Sequence, residues 1–259
     1  MSECLYEVLE PGIGLITFNR PDRLNAWTGR MGNEYFAALD AANADPKVRV
    51  IVVTGAGKVY CAGADMGTLQ AIPTGDTAKN DDGPSIVEGR MQDEITRLPK
   101  PVIAAVNGPA MGAGFGLMNS CDIWVASNTA FFSMPEINVG LAGGTAMLQS
   151  VFGKSRARRM FFTGMKVTAD EMYRLGLIEA SLPPDELMSY VMEIATDIAS
   201  KAPLALSYAK QAAQVTAVMP RREGYRFEQN MTVALGKTED TAEALKAFKE
   251  KRKPVYKGR

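Results

Sequence analysis

Twice in this chain an apolar strand runs into a cluster of small residues and then into a helix, and the pairing limits the folds open to it. Upstream, Val48 to Thr54 leads to Cys61-Ala62-Gly63-Ala64-Asp65. Downstream, Val102 to Val106 leads to Asn107-Gly108-Pro109-Ala110-Met111-Gly112-Ala113-Gly114-Phe115-Gly116. At such a junction the first backbone N–H groups of the helix lack an internal acceptor, and small residues let another atom approach them closely. Two junctions side by side offer two N–H donors to one oxygen, an oxyanion hole that stabilises negative charge on a carbonyl.

The rest of the pattern fits a layered α/β chain. Leu5 to Leu9 and Gly14 to Phe18 flank Pro11-Gly12 and read as a hairpin. Met31, Tyr35, Phe36, Leu39 and Ala42 recur at helical spacing, with Thr28 as the cap. Asp76 to Pro84 is polar with glycine and predicts a mobile loop; Ile86 to Leu98 predicts a helix stopped by Pro99-Lys100-Pro101. Strand Val102 to Val106, helix Gly112 to Ser120 and strand Asp122 to Ala126 then follow, the rhythm of parallel strands with crossover helices. Beyond about residue 140, Ser155 to Phe162, Thr168 to Leu175, Pro184 to Ser200, Leu204 to Ala217, Arg221 to Leu235 and Asp240 to Lys251 are helix candidates. Their apolar stripes must bury against each other or another subunit. A core over residues 1–195 and a helical region over 196–259 are expected.

Composition removes whole classes of chemistry. With no histidine, Ser-His-Asp and Cys-His relays and HExxH zinc sites are impossible within the chain, so proton transfer falls to a carboxylate, Lys, Tyr or Cys. Lys+Arg and Asp+Glu both total 29, so no net field draws nucleic acid or an anionic membrane. Cys4, Cys61 and Cys121 are too scattered for a metal cluster or disulfide framework and read as reduced thiols. The beginning of the sequence has Glu3, Glu7 and Glu10 and no basic-then-apolar signal pattern; Val102 to Met118 is too interrupted to span a bilayer. The expected setting is the cytoplasm.

Two nucleotide motifs fail on spacing. Gly112-Ala113-Gly114-Phe115-Gly116 is GxGxG rather than the dinucleotide GxGxxG, lies mid-chain, and has no matching acidic residue after a second strand about 20 residues on. Gly153-Lys154-Ser155 lacks the upstream P-loop glycine, since Leu148 stands there. The bland alternative is that the glycines only permit tight helix-strand packing. The second junction at Gly63-Ala64, and a carboxylate downstream at Pro135-Glu136, count against it.

Asn19-Arg20-Pro21 with Leu24-Asn25-Ala26, Cys61 to Asp65, Lys100 to Gly108, Cys121-Asp122-Ile123, Pro135-Glu136, Gly143-Gly144-Thr145 and Glu250 to Pro254 together resemble the enoyl-CoA hydratase/isomerase (crotonase) superfamily. The resemblance covers nearly the whole chain. It implies a spiral of ββα repeats with a helical C-terminal trimerisation region, trimers that often pair into hexamers, and a coenzyme A thioester as substrate. No separate cofactor, metal, nucleic acid or membrane partner is implied. By position, the N–H groups of Ala64 and Ala113 would form the oxyanion hole. Family members usually carry Gly where this chain has Ala113, and alanine serves there if φ is negative.

The same resemblance makes Glu136 the acid/base. Its neighbours Phe131, Phe132, Met134, Ile137 and Val139 predict an apolar setting, which favours a carboxyl group nearer neutrality and suits a proton shuttle. A surface carboxylate or a helix N-terminal residue is the alternative role. Hydratases of the family use a second glutamate where this chain has Gly116, and members with one glutamate at the Glu136 position typically shift double bonds. The residues therefore favour isomerisation, and the family at large favours hydration. Loss of catalysis, leaving an acyl-CoA-binding protein, is the third reading. Asp93 and Glu94 could replace the missing carboxylate, although a solvated helix face is their ordinary use. The segment Val139 to Gly144 is about three residues shorter than the family pattern and lacks the aspartate nucleophile of dehalogenase-type members.

Arg23, Ala26, Ala62, Gly63, Asp65, Met66, Gly112 and Gly116 are candidates to line the substrate. Lys251 is a candidate to meet coenzyme A from a neighbouring subunit, with Arg20 and Arg23 toward the nucleotide. Trp27 and Phe248 are expected to pack, though the family borders its ligand with such residues, so Phe248 is also a substrate candidate. Asp65 would cap the helix beginning at Met66. The loop from Gly67 to Ser85 is expected to shape the acyl pocket.

Overall fold

The computed structural model describes residues 1–69 and 94–259. The expected loop at Asp76 to Pro84, most of the Gly67 to Ser85 pocket loop, Asp93 and most of the helix placed at Ile86 to Leu98 lie outside these residues; 94–97 are helical.

A six-stranded sheet forms the frame. Its members are β1 (Cys4–Leu9), β2 (Ile13–Phe18), β3 (Val50–Gly55), β4 (Val102–Val106), β6 (Ile123–Ser127) and β9 (Ala180–Leu182), in the order β1-β2-β3-β4-β6-β9. The β1-β2 hairpin is antiparallel, and every later pairing is parallel. Parallel strands covered on both faces are apolar throughout rather than alternating. Accordingly Val50, Val52, Ile103, Ala105 and Val125 face one core, and Ile51, Val53, Val102, Ala104 and Val106 face the other.

The first core is closed by α7 (Pro184–Ala199), whose Leu187, Val191 and Ala195 fall four apart on one stripe. Burying each branched side chain contributes about 1.5–3 kcal/mol. The second core lies toward α1 (Gly29–Ala44) and a thinner layer of β5 (Ala110–Met111), β7 (Phe131–Ser133) and β8 (Val167–Thr168). Thr28 caps α1, its hydroxyl accepting from the Met31 amide at 3.0 Å.

The thinner layer generates the spiral. After β3, β4 and β6 the chain turns and lays a short segment alongside its predecessor: Ala64 bridges Trp27, Ala110 bridges Cys61, and Ala110 pairs with Phe132. Helices α2 (Met66–Leu69), α3 (Ala113–Ser120) and α4 (Thr145–Val151) follow. This is the stacked ββα architecture implied by the resemblance. The stretch beyond residue 140 is not wholly helical, however. Between α5 (Lys154–Thr163) and α6 (Ala169–Arg174) lies β8, and β9 extends the large sheet. Strands of two or three residues are too short to show a period of two in sequence.

The remaining helices are α8 (Pro203–Thr216), α9 (Arg221–Leu235) and α10 (Glu239–Lys249). Lys210 of α8, buried, pairs with Asp122 at 2.8 Å and donates to the Lys100 carbonyl at 3.0 Å, tying the helix to the entrances of β4 and β6. Val218, Tyr225, Val233, Leu245 and Phe248 in this region are exposed. Phe248, expected to pack, is 84% exposed, a correction to the sequence reading. Among the described residues, no helix is long and apolar enough to cross a membrane.

Candidate active site

The first junction is held from both sides. The Trp27 amide donates to Gly63 O at 2.8 Å, and the Asp65 amide donates to Trp27 O at 2.8 Å. In a parallel bridge both bonds belong to one partner, here Trp27, so the N–H and C=O of Ala64 turn to the opposite side. Among the described residues the Ala64 amide donates to no acceptor of the chain. On that opposite side, Met111 N donates to Cys61 O at 3.0 Å, bringing the second junction alongside.

The second junction hinges on Gly112, with φ 50° and ψ −120°, a conformation an L-residue rarely adopts. It caps α3, so Ala113 is the first helical residue and its amide is one of the unpaired donors at the helix start. Ala113 is absent from the residues of positive φ, which meets the condition for alanine at this position. The two junctions touch: a Cβ built on Gly112 would lie 3.8 Å from Cα of Gly63, and one built on Gly63 would lie 3.1 Å from Met111 O. A Cβ on Gly114 would collide with the Cys61 carbonyl. Gly63 and Gly114 are thus held to glycine by backbone contact, Gly112 by its positive φ and by the Glu136 carboxylate, and the two junctions lie against each other.

Glu136 arrives from the next turn of the spiral. It lies in a 3-10 helix, Pro135–Val139, directly after β7, whose Ser133 carbonyl accepts from the Gly112 amide at 3.0 Å. A Cβ on Gly112 would stand 2.5 Å from Glu136 Oε1, and one on Gly143 would stand 3.5 Å from its Cγ. The carboxylate therefore rests against the residue that delivers the Ala113 amide. Its setting is half-buried and less apolar than expected. Phe132 and Met134 are buried, but Ile137 and Val139 are 42% and 52% exposed, because a 3-10 turn distributes consecutive side chains around its axis.

Gly116 behaves differently from the other glycines of its motif. A Cβ there would meet only Met147 Sδ, at 4.0 Å, and no positive φ demands glycine. A Cβ is sterically admissible there, yet none is present. Glu94 is half-buried on the 94–97 turn.

Ala62, Gly63 and Asp65 are part of the first junction, the Ala62 amide donating to Leu24 O at 3.1 Å; Met66 is exposed beside it. Asp65 caps α2 through its Oδ1, which accepts from Gly67 N at 2.9 Å. The Gly67 amide, and then the Arg20 guanidinium, hold its carboxyl below the usual carboxylate range. Ala26 supplies a carbonyl acceptor to Arg20, and Arg23 is exposed on the same loop. Phe248 and Lys251 lie at the end of α10, both exposed, with Lys251 at φ 54°. Burial pushes the Cys61 thiol up to about 12, so it is no nucleophile at neutral pH.

Sequence reasoning gave Asn25 no role. Fully buried at φ 53°, it accepts from the Arg20 amide and donates to Ala56 O and Val59 O, fixing the loop under which Ala62 runs. Its signal was the Leu24-Asn25-Ala26 motif, since asparagine tolerates left-handed backbone and is common in turns.

Comparisons with known proteins point to one family. The profile of a family described as enoyl-CoA hydratase/isomerase matches residues 9–259. The chain is 37% identical to the 2,3-dehydroadipyl-CoA hydratase of Escherichia coli, over 95% of each protein. It is 36% identical to the short-chain-enoyl-CoA hydratase of Clostridium acetobutylicum, over 94% of each. The crystal structure of an enoyl-CoA hydratase from Mycobacterium smegmatis superposes with a TM-score of 0.90 at 29% identity, covering 99% of both chains.

Proposed function

The chain belongs to the enoyl-CoA hydratase/isomerase family, and from that premise we propose that it moves the double bond of an enoyl-CoA thioester with Glu136 as its single base. The amides of Ala64 and Ala113 receive the thioester oxygen. The Glu136 carboxylate takes a proton from C2 of a 3-enoyl-CoA, the electrons pass to the carbonyl oxygen, and the resulting dienolate is held by the two N–H donors. The carboxylic acid then returns a proton to C4, giving the 2-enoyl-CoA and restoring the carboxylate. Loss of one such donor typically costs on the order of 3 kcal/mol of transition-state stabilisation. Coenzyme A enters as part of the substrate, and the chemistry calls on no further cofactor.

The observation that carries this reading is the Glu136 carboxylate lying against Gly112, whose Cβ position is also 3.8 Å from Gly63 Cα, with no side chain at position 116. A base that takes and returns one proton needs no activated water, and so no second carboxylate. The names of the relatives favour a second reading, addition of water across the 2,3 double bond.

Turnover of 2-enoyl-CoA and 3-enoyl-CoA in water labelled with deuterium and oxygen-18, followed by mass spectrometry, separates the two. Isomerisation predicts a double bond moved between the 3,4 and 2,3 positions without oxygen-18, with deuterium at C2 or C4 wherever the Glu136 proton exchanges with solvent, whereas incorporation of oxygen-18 would establish hydration. Binding with neither label incorporated and the double bond unmoved would leave only an acyl-CoA-binding role.

A further inference from the structure

We propose that Arg20 is a positioning residue for the Ala64 amide, acting through Asp65; the inference rests on the oxyanion role of Ala64. A single nitrogen of Arg20, Nη1, donates to Ala26 O at 2.6 Å and to Asp65 Oδ2 at 3.0 Å. These acceptors flank the two residues of the Trp27-Ala64 bridge, one on each strand, so one guanidinium grips both sides of the segment that aims the Ala64 N–H. The other Asp65 oxygen is committed to the Gly67 amide, so the carboxylate is held at both ends.

Arg20 is itself fixed from behind. Its Nε pairs with Glu3 Oε1 at 3.4 Å, and the second oxygen of Glu3 accepts from the Thr28 hydroxyl that caps α1. A chain of polar contacts thus runs from the start of α1, through the residue before β1, to the oxyanion loop. The Arg20 side chain is only 16% exposed, and its contacts to Glu3, Ala26 and Asp65 make it a strut within the chain. Lysine could not reproduce it, because an ammonium lacks the planar fork that serves Glu3, Ala26 and Asp65 from fixed directions.

The arrangement predicts a loss of alignment rather than of substrate. With Arg20→Gln or Asp65→Asn, kcat should fall about 10- to 100-fold, the range that misplacement by about 1 Å produces, with KM changed no more than about threefold. The decisive readout is the infrared carbonyl stretch of a bound, unreactive acyl-CoA. In the unmodified protein it should lie below its value in free solution, and in both variants it should move back toward that value. The double variant should be no worse than the more severe single one, since the Arg20–Asp65 contact is already broken in each. Arg20→Lys should recover only part of the shift.

If Arg20→Gln does not fold, Asp65→Asn removes only the charge and is read by the same band. Folded variants that keep both kcat and the lowered carbonyl frequency overturn the role of Arg20 alone. An unmodified protein whose bound carbonyl matches the free thioester overturns the oxyanion reading of Ala64, and the Arg20 proposal with it.

Discussion

Glu136→Gln is expected to lower kcat by roughly 10²- to 10⁴-fold, the usual contribution of general acid–base catalysis, with little change in acyl-CoA affinity. Glutamine preserves the shape of the side chain and its place in the 3-10 helix Pro135–Val139, but it cannot accept the C2 proton. On the proposed mechanism the amides of Ala64 and Ala113 still receive the thioester oxygen, so ground-state binding is retained while the transition state loses its base. Steady-state kinetics with isothermal titration of an unreactive acyl-CoA measures both quantities. Unchanged kcat for every accepted substrate would remove Glu136 from the chemistry.

Gly112→Ala should be nearly as damaging, for a reason that combines backbone and site. The methyl group would arrive 2.5 Å from Glu136 Oε1, and the φ of 50° with ψ −120° is a conformation alanine adopts only under strain. Backbone strain of this kind costs about 1–3 kcal/mol, and relief of it requires residue 112 to rotate. Any rotation moves the Ala113 amide and the Glu136 carboxylate together, so kcat should fall by about 10²-fold while the denaturation midpoint drops. Gly116→Ala is the stability comparison. Only Met147 Sδ lies within reach of its Cβ, at 4.0 Å, and alanine in a helix interior is favoured over glycine by about 1 kcal/mol. Chemical denaturation should find one variant less stable and the other no less stable than the parent.

What the sequence disclosed follows the range of the interactions concerned. The Thr28 cap, the strand Val102–Val106 and the helix Arg221–Leu235 depend on neighbours a few positions apart, and the structure has them where the sequence placed them. The glycine spacing at 112 and 114 was legible because a positive φ at 112 and close backbone contact at 114 leave no substitute for glycine. Arg20 with Asp65, and Lys210 with Asp122, were not legible, because nothing local marks which distant charge a side chain will meet. The apolar run around Glu136 misled in the opposite direction. Ile137 and Val139 were read as part of an apolar setting for Glu136, whereas the 3-10 turn leaves both exposed. Phe248 erred likewise, since an aromatic on a helix that lies at the margin of one chain has no fixed core to enter.

The central claim is that the amides of Ala64 and Ala113 converge on one thioester oxygen beside a single carboxylate. A crystal structure with an unreactive acyl-CoA bound tests it most directly. The account predicts the thioester oxygen within about 3 Å of both amide nitrogens, with the Glu136 carboxylate alongside the carbons nearest the carbonyl. A thioester oxygen bound by neither amide, or an acyl chain seated away from Glu136, would contradict it.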